Sequence, residues 1–156
     1  MYWNKYFMEI ANLTATKSKD RSTKVGCVIV NKFNTIISTG YNGFPRLVND
    51  DAEDRHQRPQ KYFYCEHAER NAIYSAARYG ISLDQAKIYI SGKGWPCSDC
   101  ARAIIQSGIC KVLTMEGKFE GKGDWEENCR IAEIMLKEAG VKLIGLTEDF
   151  AEVIHV

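Results

Sequence analysis

Residues 67–115, HAERNAIYSAARYGISLDQAKIYISGKGWPCSDCARAIIQSGICKVLTM, contain the pattern that determines the fold. Their periodicity predicts a helix over residues 67–79 followed by a strand over residues 86–91. A second helix is predicted over residues 97–107, and a second strand over residues 110–115. Strands joined by a helical crossover lie parallel in one sheet, so this stretch predicts an α/β fold.

The flanking sequence extends this pattern in both directions. An amphipathic helix is predicted over about the first fifteen residues, followed by a hairpin with strands at residues 25–30 and 35–41. Beyond the central stretch we expect a helix over residues 126–139 and a final strand over residues 141–146. The order α-β-β-α-β-α-β-α-β predicts a three-layer α/β/α fold with a mixed sheet, and residues 1–156 form one domain.

Two segments show no hydrophobic period. Residues 46–61 are polar and charged, and they are long for a loop in a compact domain, which is typical of functional or disordered segments. Residues 116–124 form a glycine-rich loop that contains Lys118 and Lys122.

The composition describes an ordinary soluble protein. The chain is 45% hydrophobic and 26% charged, with a formal net charge of +1. A protein that holds a nucleic-acid polymer usually carries a clustered basic excess, and we therefore expect no such partner. No apolar run approaches the roughly 20 residues of a membrane span. We expect a cytoplasmic protein with no membrane partner.

The six cysteines fit a reducing compartment. They are better interpreted as core residues, metal ligands or reactive thiols than as a set of disulfides.

The residues that carry chemistry open two neighbouring helices. His67-Ala-Glu69 begins one, and Pro96-Cys97-Ser-Asp-Cys100 begins the next. A catalytic zinc takes three protein ligands of nitrogen or sulfur type and leaves a fourth position open, and His67, Cys97 and Cys100 supply that count. This order and spacing is the known signature of zinc-dependent nucleobase deaminases. The sequence therefore predicts one catalytic Zn²⁺.

Glu69 stands two residues beyond the predicted histidine ligand. It can reach a water molecule at the open position and act as general acid and base without binding the metal. A redox Cys-x-x-Cys pair is one alternative. A closed structural zinc site, with Cys65 or Cys110 as the fourth ligand, is another.

Over about residues 18–141 the chain resembles the deoxycytidylate (dCMP) deaminase branch of the cytidine deaminase-like superfamily. The matching stretches are SKD with TKVG in residues 18–26, GYNGFP at 40–45, HAERNAI at 67–73, PCSDCA at 96–101, and Trp125 with AGV at 139–141. The zinc segments are shared across the superfamily. The GYNGFP segment is the one that favours dCMP deaminases.

The resemblance implies a cytidine deaminase-like fold with a mixed five-stranded sheet and a homo-oligomer, often a hexamer. It implies zinc-dependent hydrolysis of dCMP to dUMP and ammonia, which supplies dUMP for thymidylate synthesis, with regulation by dCTP and dTTP. The effectors would bind at the turn that contains Tyr41, Gly43 and Phe44. The loop that follows lacks the cysteine that can belong to a second, structural zinc, so we expect no second ion, although His56 and Cys65 are spare ligands in principle.

Five residues are candidates for substrate binding. The resemblance implies that Asn42 binds the deoxyribose hydroxyl, although a turn residue before glycine explains it equally well. Trp95 either stacks on cytosine or packs the end of a strand, and Asn71 either faces the pocket or caps nearby backbone. Of the cations in residues 18–26 and in the glycine-rich loop, we select Arg21 and Lys24 as phosphate ligands.

Two other functions compete with dCMP deamination. The chain could deaminate another nucleobase, in tRNA adenosine, cytidine or guanine. It could also be an inactive zinc-stabilised binding module, although such a module has no need of Glu69.

Overall fold

The computed structural model describes residues 2–117 and 124–155. Lys118 and Lys122 of the predicted glycine-rich loop lie outside the described residues. Within those two ranges, no helix has the length and apolar character needed to cross a membrane.

The predicted helices and strands are present, and three elements are added to them. The helices are α1 (Trp3–Ala15), α2 (Lys61–Tyr64), α3 (Ala68–Arg78), α4 (Ser98–Gln106) and α5 (Asp124–Glu138). The strands are β1 (Gly26–Val30), β2 (Ile36–Tyr41), β3 (Lys87–Lys93), β4 (Lys111–Met115), β5 (Lys142–Leu146) and β6 (Glu152–Ile154). The additions are α2, a turn of 3₁₀-helix at Glu53–His56, and β6.

The sheet is mixed, as predicted, and its strand order is β2-β1-β3-β4-β5-β6. Strand β1 pairs antiparallel with both β2 and β3, whereas β3, β4 and β5 run parallel through the crossovers α4 and α5. The expected count of five strands was wrong, because β6 adds an antiparallel edge to β5. Its three residues are all exposed, and so short a strand leaves no alternating pattern in the sequence.

The sheet separates two layers of helices, which confirms the three-layer prediction. All five residues of β1 are buried, and they alternate between the two faces. Cys27 and Ile29 pack with α3, α4 and α5, whereas Val28 and Val30 pack with Phe7 and its neighbours on α1. A strand buried on both faces shows a continuous apolar run, which is the pattern that residues 25–30 carry.

Helix α3 lies directly against β2 at Gly40. A Cβ at this position would lie 2.3 Å from the backbone nitrogen of Ala72 and 2.4 Å from the carbonyl oxygen of Ala68. The Ser38 hydroxyl adds a hydrogen bond of 2.6 Å to the Ala72 carbonyl oxygen. The glycine therefore sets the distance between the sheet and the helix whose first turn carries His67 and Glu69.

Candidate metal and active site

The three predicted ligands meet where two helices begin. His67 is the N-cap residue of α3, Cys97 is the N-cap residue of α4, and Cys100 lies in the first turn of α4. The Nδ1 atom of His67 lies 3.4 Å from the Sγ atom of Cys97 and 3.4 Å from that of Cys100. Strand β3 joins α3 to α4, and the contact between these two helices brings together residues 30 positions apart.

These distances fit a zinc ion. Tetrahedral zinc binds nitrogen at about 2.0–2.1 Å and sulfur at about 2.3 Å, which sets its N and S ligand atoms about 3.5 Å apart. Within residues 2–117 and 124–155, His67, Cys97 and Cys100 are the one group of three such donors whose ligand atoms all lie within 4.8 Å of one another. Imidazole and thiolate are donors that zinc prefers.

The described part of the chain offers no fourth protein ligand to this group. Cys65, one candidate for a closed site, lies near Asp20, and Cys110 lies beside the Gln85 carbonyl oxygen. Glu69 is 6% exposed and stands beside the group without joining it. The arrangement is that of a three-ligand site with an adjacent carboxylate, which is typical of catalytic zinc.

The pKa values of the three candidate metal ligands are coupled through the hydrogen bonds between them. The hydrogen bond from the Cys100 thiol lowers the pKa of Cys97 to about 4 against the effect of burial, and His67 contributes further. That same bond, together with burial, raises the pKa of Cys100 well above its ordinary value. The bond to Cys97 also raises the pKa of His67. Zinc binds cysteine as the thiolate, so a metal held by both sulfurs would displace any proton that they hold.

Burial raises the pKa of the Glu69 carboxyl, with a smaller opposing effect from His67. A raised pKa suits a group that must both accept and return a proton near neutral pH.

Trp125 is the aromatic residue beside the metal ligands, and the sequence interpretation gave it no role. Its ring centroid lies 6.1 Å from that of His67 at an interplanar angle of 51°, and the side chain is 36% exposed. Trp95, selected for stacking, is partly buried against the core and contacts the His155 ring edge-on. A tryptophan in the first turn of a helix after a glycine-rich loop was the available signal, but only the fold shows which helix faces the site.

Asn42 holds the loop of residues 18–25 in place. Its side-chain nitrogen donates to the Thr23 carbonyl oxygen at 2.8 Å and to Asp20 at 3.2 Å, and its side-chain oxygen accepts from the Val25 amide at 2.8 Å. Asp20 in turn pairs with Lys61 at 2.6 Å, and both side chains are largely buried. This network gives Asn42 a structural role, and its contact with a sugar hydroxyl stays a prediction.

Two other predicted substrate residues, Asn71 and Lys24, make no described side-chain contact with the metal ligands. The Asn71 amide donates to the Tyr41 carbonyl oxygen at 2.8 Å, which matches the backbone-capping alternative. Lys24 is exposed. Their roles in substrate binding stay predictions.

The predicted effector residues line a separate cavity of about 80 Å³. Tyr41, Gly43 and Phe44 form part of its wall. Four basic side chains line it as well: Lys17, Lys19, Arg21 and Lys61. Arg21 is exposed there and pairs with Glu53 through both terminal guanidinium nitrogens, Nη1 and Nη2. The structure thus groups Arg21 with the predicted effector residues.

The two spare ligands considered for a second zinc also border this cavity. The His56 ring stacks on Phe44, and its Nε2 atom forms a hydrogen bond with the Asp50 carbonyl oxygen. Burial raises the pKa of Cys65 to about 11. Neither belongs to a group of three donors in the described ranges.

Comparison with known proteins agrees with the site. Residues 1–116 match the family model described as the cytidine and deoxycytidylate deaminase zinc-binding region. The chain is 40% identical to an uncharacterized deaminase in the luxG 3′ region of Aliivibrio fischeri, over 94% of this chain and 95% of the relative. It is 35% identical to the deoxycytidylate deaminase of Mus musculus, over 97% and 84%.

A solved structure has the same fold. The dCMP deaminase of cyanophage S-TIM5, in complex with dCMP and dUMP, superposes with a TM-score of 0.69. It shares 26% sequence identity, and the match covers 89% of this chain and 93% of that one. The predicted family resemblance is confirmed.

Proposed function

The chain belongs to the cytidine and deoxycytidylate deaminase family, and from that premise we propose that it hydrolyses dCMP to dUMP and ammonia. The observation that carries the proposal is the cluster of His67, Cys97 and Cys100 beside the buried Glu69. A zinc ion held there would supply Lewis-acid activation of water, whose pKa falls from about 16 to about 7 on coordination.

Glu69 performs the proton transfers in this proposal. Its carboxylate takes a proton from the attacking water and delivers it to the ring nitrogen of cytosine. It then takes the second proton from the oxygen now bonded to the ring carbon and passes it to the amino group, which leaves as ammonia while the carbonyl forms. Burial supports this role, because the raised pKa of the Glu69 carboxyl lies closer to the neutral pH at which it must both accept and donate a proton.

The choice of dCMP is supported by the relatives, and the position of Trp125 supports a planar base as substrate. The deoxycytidylate deaminases match over most of the chain, and the cyanophage enzyme carries dCMP and dUMP in its structure. Trp125 is placed so that its exposed ring can contact a planar base beside His67. A deaminase of cytidine, guanine or tRNA adenosine is the competing function.

A substrate panel tests the assignment. The zinc-loaded protein is incubated with dCMP, deoxycytidine, cytidine, guanine and a tRNA anticodon stem, and ammonia release is measured. We expect dCMP to have the highest kcat/KM. Faster turnover of unphosphorylated deoxycytidine would contradict the nucleotide assignment.

We also propose that the cavity beside Tyr41 and Phe44 is the site of nucleotide regulation, with dCTP and dTTP as the effectors. The basic side chains around it support an anionic ligand, which would have to compete with the carboxylates already paired with Lys19, Arg21 and Lys61. A cavity of about 80 Å³ has room for a phosphate group, and a whole nucleotide would extend beyond it. Titration of dCMP turnover with dCTP and dTTP tests this, and unchanged kinetics with both would contradict it.

Two further expectations accompany this function. None of the six cysteines forms a disulfide, which supports a cytoplasmic site of action. We also expect a homo-oligomer, a hexamer by family resemblance, and light scattering would measure its molar mass in solution.

A further inference from the structure

The two helices that carry the metal ligands share an uncommon feature at their first turns. An N-cap residue normally uses its side chain to accept a hydrogen bond from the backbone of the first turn. Here the N-cap positions are held by His67 and Cys97, and neither side chain caps its helix within the described chain. A ligand atom bound to a metal cannot also serve as a cap, so the amides of the first turn need another acceptor, from water or from a different residue.

For α4 that residue lies on a different helix. The side-chain oxygen of Asn128, on α5, accepts a hydrogen bond of 2.7 Å from the backbone amide of Ser98. Ser98 is the first residue of α4 and stands between Cys97 and Cys100 in the chain. Asn128 is half-buried, where leaving the Ser98 amide without an acceptor would cost free energy.

We propose that Asn128 is a positioning residue that caps α4 from outside and thereby fixes the two sulfur ligands. The proposal rests on the zinc site proposed above. Because Cys97 and Cys100 lie on either side of the capped amide, movement of that amide would shift both sulfurs relative to His67. The cap also joins the ligand helix to α5, on which Trp125 lies one turn earlier.

The test compares three variants with the wild type. Asn128→Leu keeps most of the side-chain volume but removes the acceptor, and Asn128→Asp keeps an acceptor oxygen at the same place. Glu126→Ala, an exposed change on the same helix, is the control. Zinc affinity is measured on the metal-free proteins by competition with a chromophoric chelator, and ligand geometry by the absorption spectrum of the Co²⁺ form.

We expect Asn128→Leu to raise the zinc dissociation constant about tenfold and to alter the Co²⁺ spectrum. Mutation of residues that orient metal ligands typically lowers metal affinity by about 10–100-fold. Asn128→Asp should stay within about threefold of the wild type, because Asp and Asn cap helices equally well. Glu126→Ala should match the wild type.

Wild-type affinity and an unchanged spectrum in Asn128→Leu would overturn the proposal while leaving the zinc site intact. An equal loss of zinc affinity in Asn128→Asp and Asn128→Leu would overturn it too, because the acceptor oxygen would then have no effect on the site. A wild-type protein that binds no zinc would overturn both this proposal and the proposed function.

Discussion

Replacing Gly40 by alanine should separate α3 from the sheet and damage the site without touching any of its residues. The added Cβ would lie 2.3 Å from the Ala72 nitrogen and 2.4 Å from the Ala68 oxygen, both backbone atoms that cannot rotate away. Since nonbonded heavy atoms need about 3.5 Å, α3 must move by about 1 Å.

That movement of α3 should lower both the stability of the fold and the rate of the reaction. Overpacking of this kind costs about 1–3 kcal/mol of the free energy of unfolding. Because His67 and Glu69 move with the first turn of α3, a misplacement of about 1 Å should lower kcat/KM about 100-fold. The stability is measured by urea unfolding and the activity by dUMP formation. The control is Thr39→Ala, an exposed change at the preceding position of β2.

The reasoning would be refuted if Gly40→Ala matched Thr39→Ala in both stability and turnover. Loss of stability with full kcat/KM in the folded fraction would show that α3 tolerates the shift and does not fix the site.

Two other predictions follow from named contacts. Burial alone would raise the pKa of Asp20, but the Lys61 ammonium and the Thr23 and Ser22 amides lower it overall. Asp20 therefore stabilises the fold above its unfolded pKa of about 4, and this contribution is lost as the pH falls. Lys61→Met should therefore cost about 3 kcal/mol at pH 7 and move acid unfolding to higher pH, and an unchanged pH profile of urea midpoints would refute it. Trp125→Ala should raise KM for dCMP about tenfold at unchanged zinc content, since base stacking contributes about 1–3 kcal/mol. A KM equal to that of the wild type would show that the ring does not contact the base.

Much of the fold followed from local sequence patterns. The run of residues 25–30 predicted a strand buried on both faces, and β1 is that strand. The helices that carry His67 and Cys97 were predicted to within one residue at their starts, because their ligand motifs open each periodic segment. Strand β6 and helix α2 were missed because each is too short to show a period.

The site was predictable only where its residues share a motif. His67, Glu69, Cys97 and Cys100 lie in two short segments whose spacing carries the chemistry. Trp125 and Asn128 lie on α5 and reach the site through helix packing, so Trp125 gave only the local signal of its place after the glycine-rich loop and Asn128 gave none. Asn42 shows the converse, since its motif was visible but its hydrogen bonds to Thr23 and Val25 were not.

The central claim is that Glu69 transfers protons beside a zinc ion that it does not bind. Zinc content and the rate of dUMP formation, measured together on Glu69→Gln and the wild type, test it most directly. The account predicts equal zinc in both proteins and a rate lowered by about 10²–10⁴-fold in the variant. A zinc-loaded Glu69→Gln protein that deaminates dCMP at the wild-type rate would contradict it.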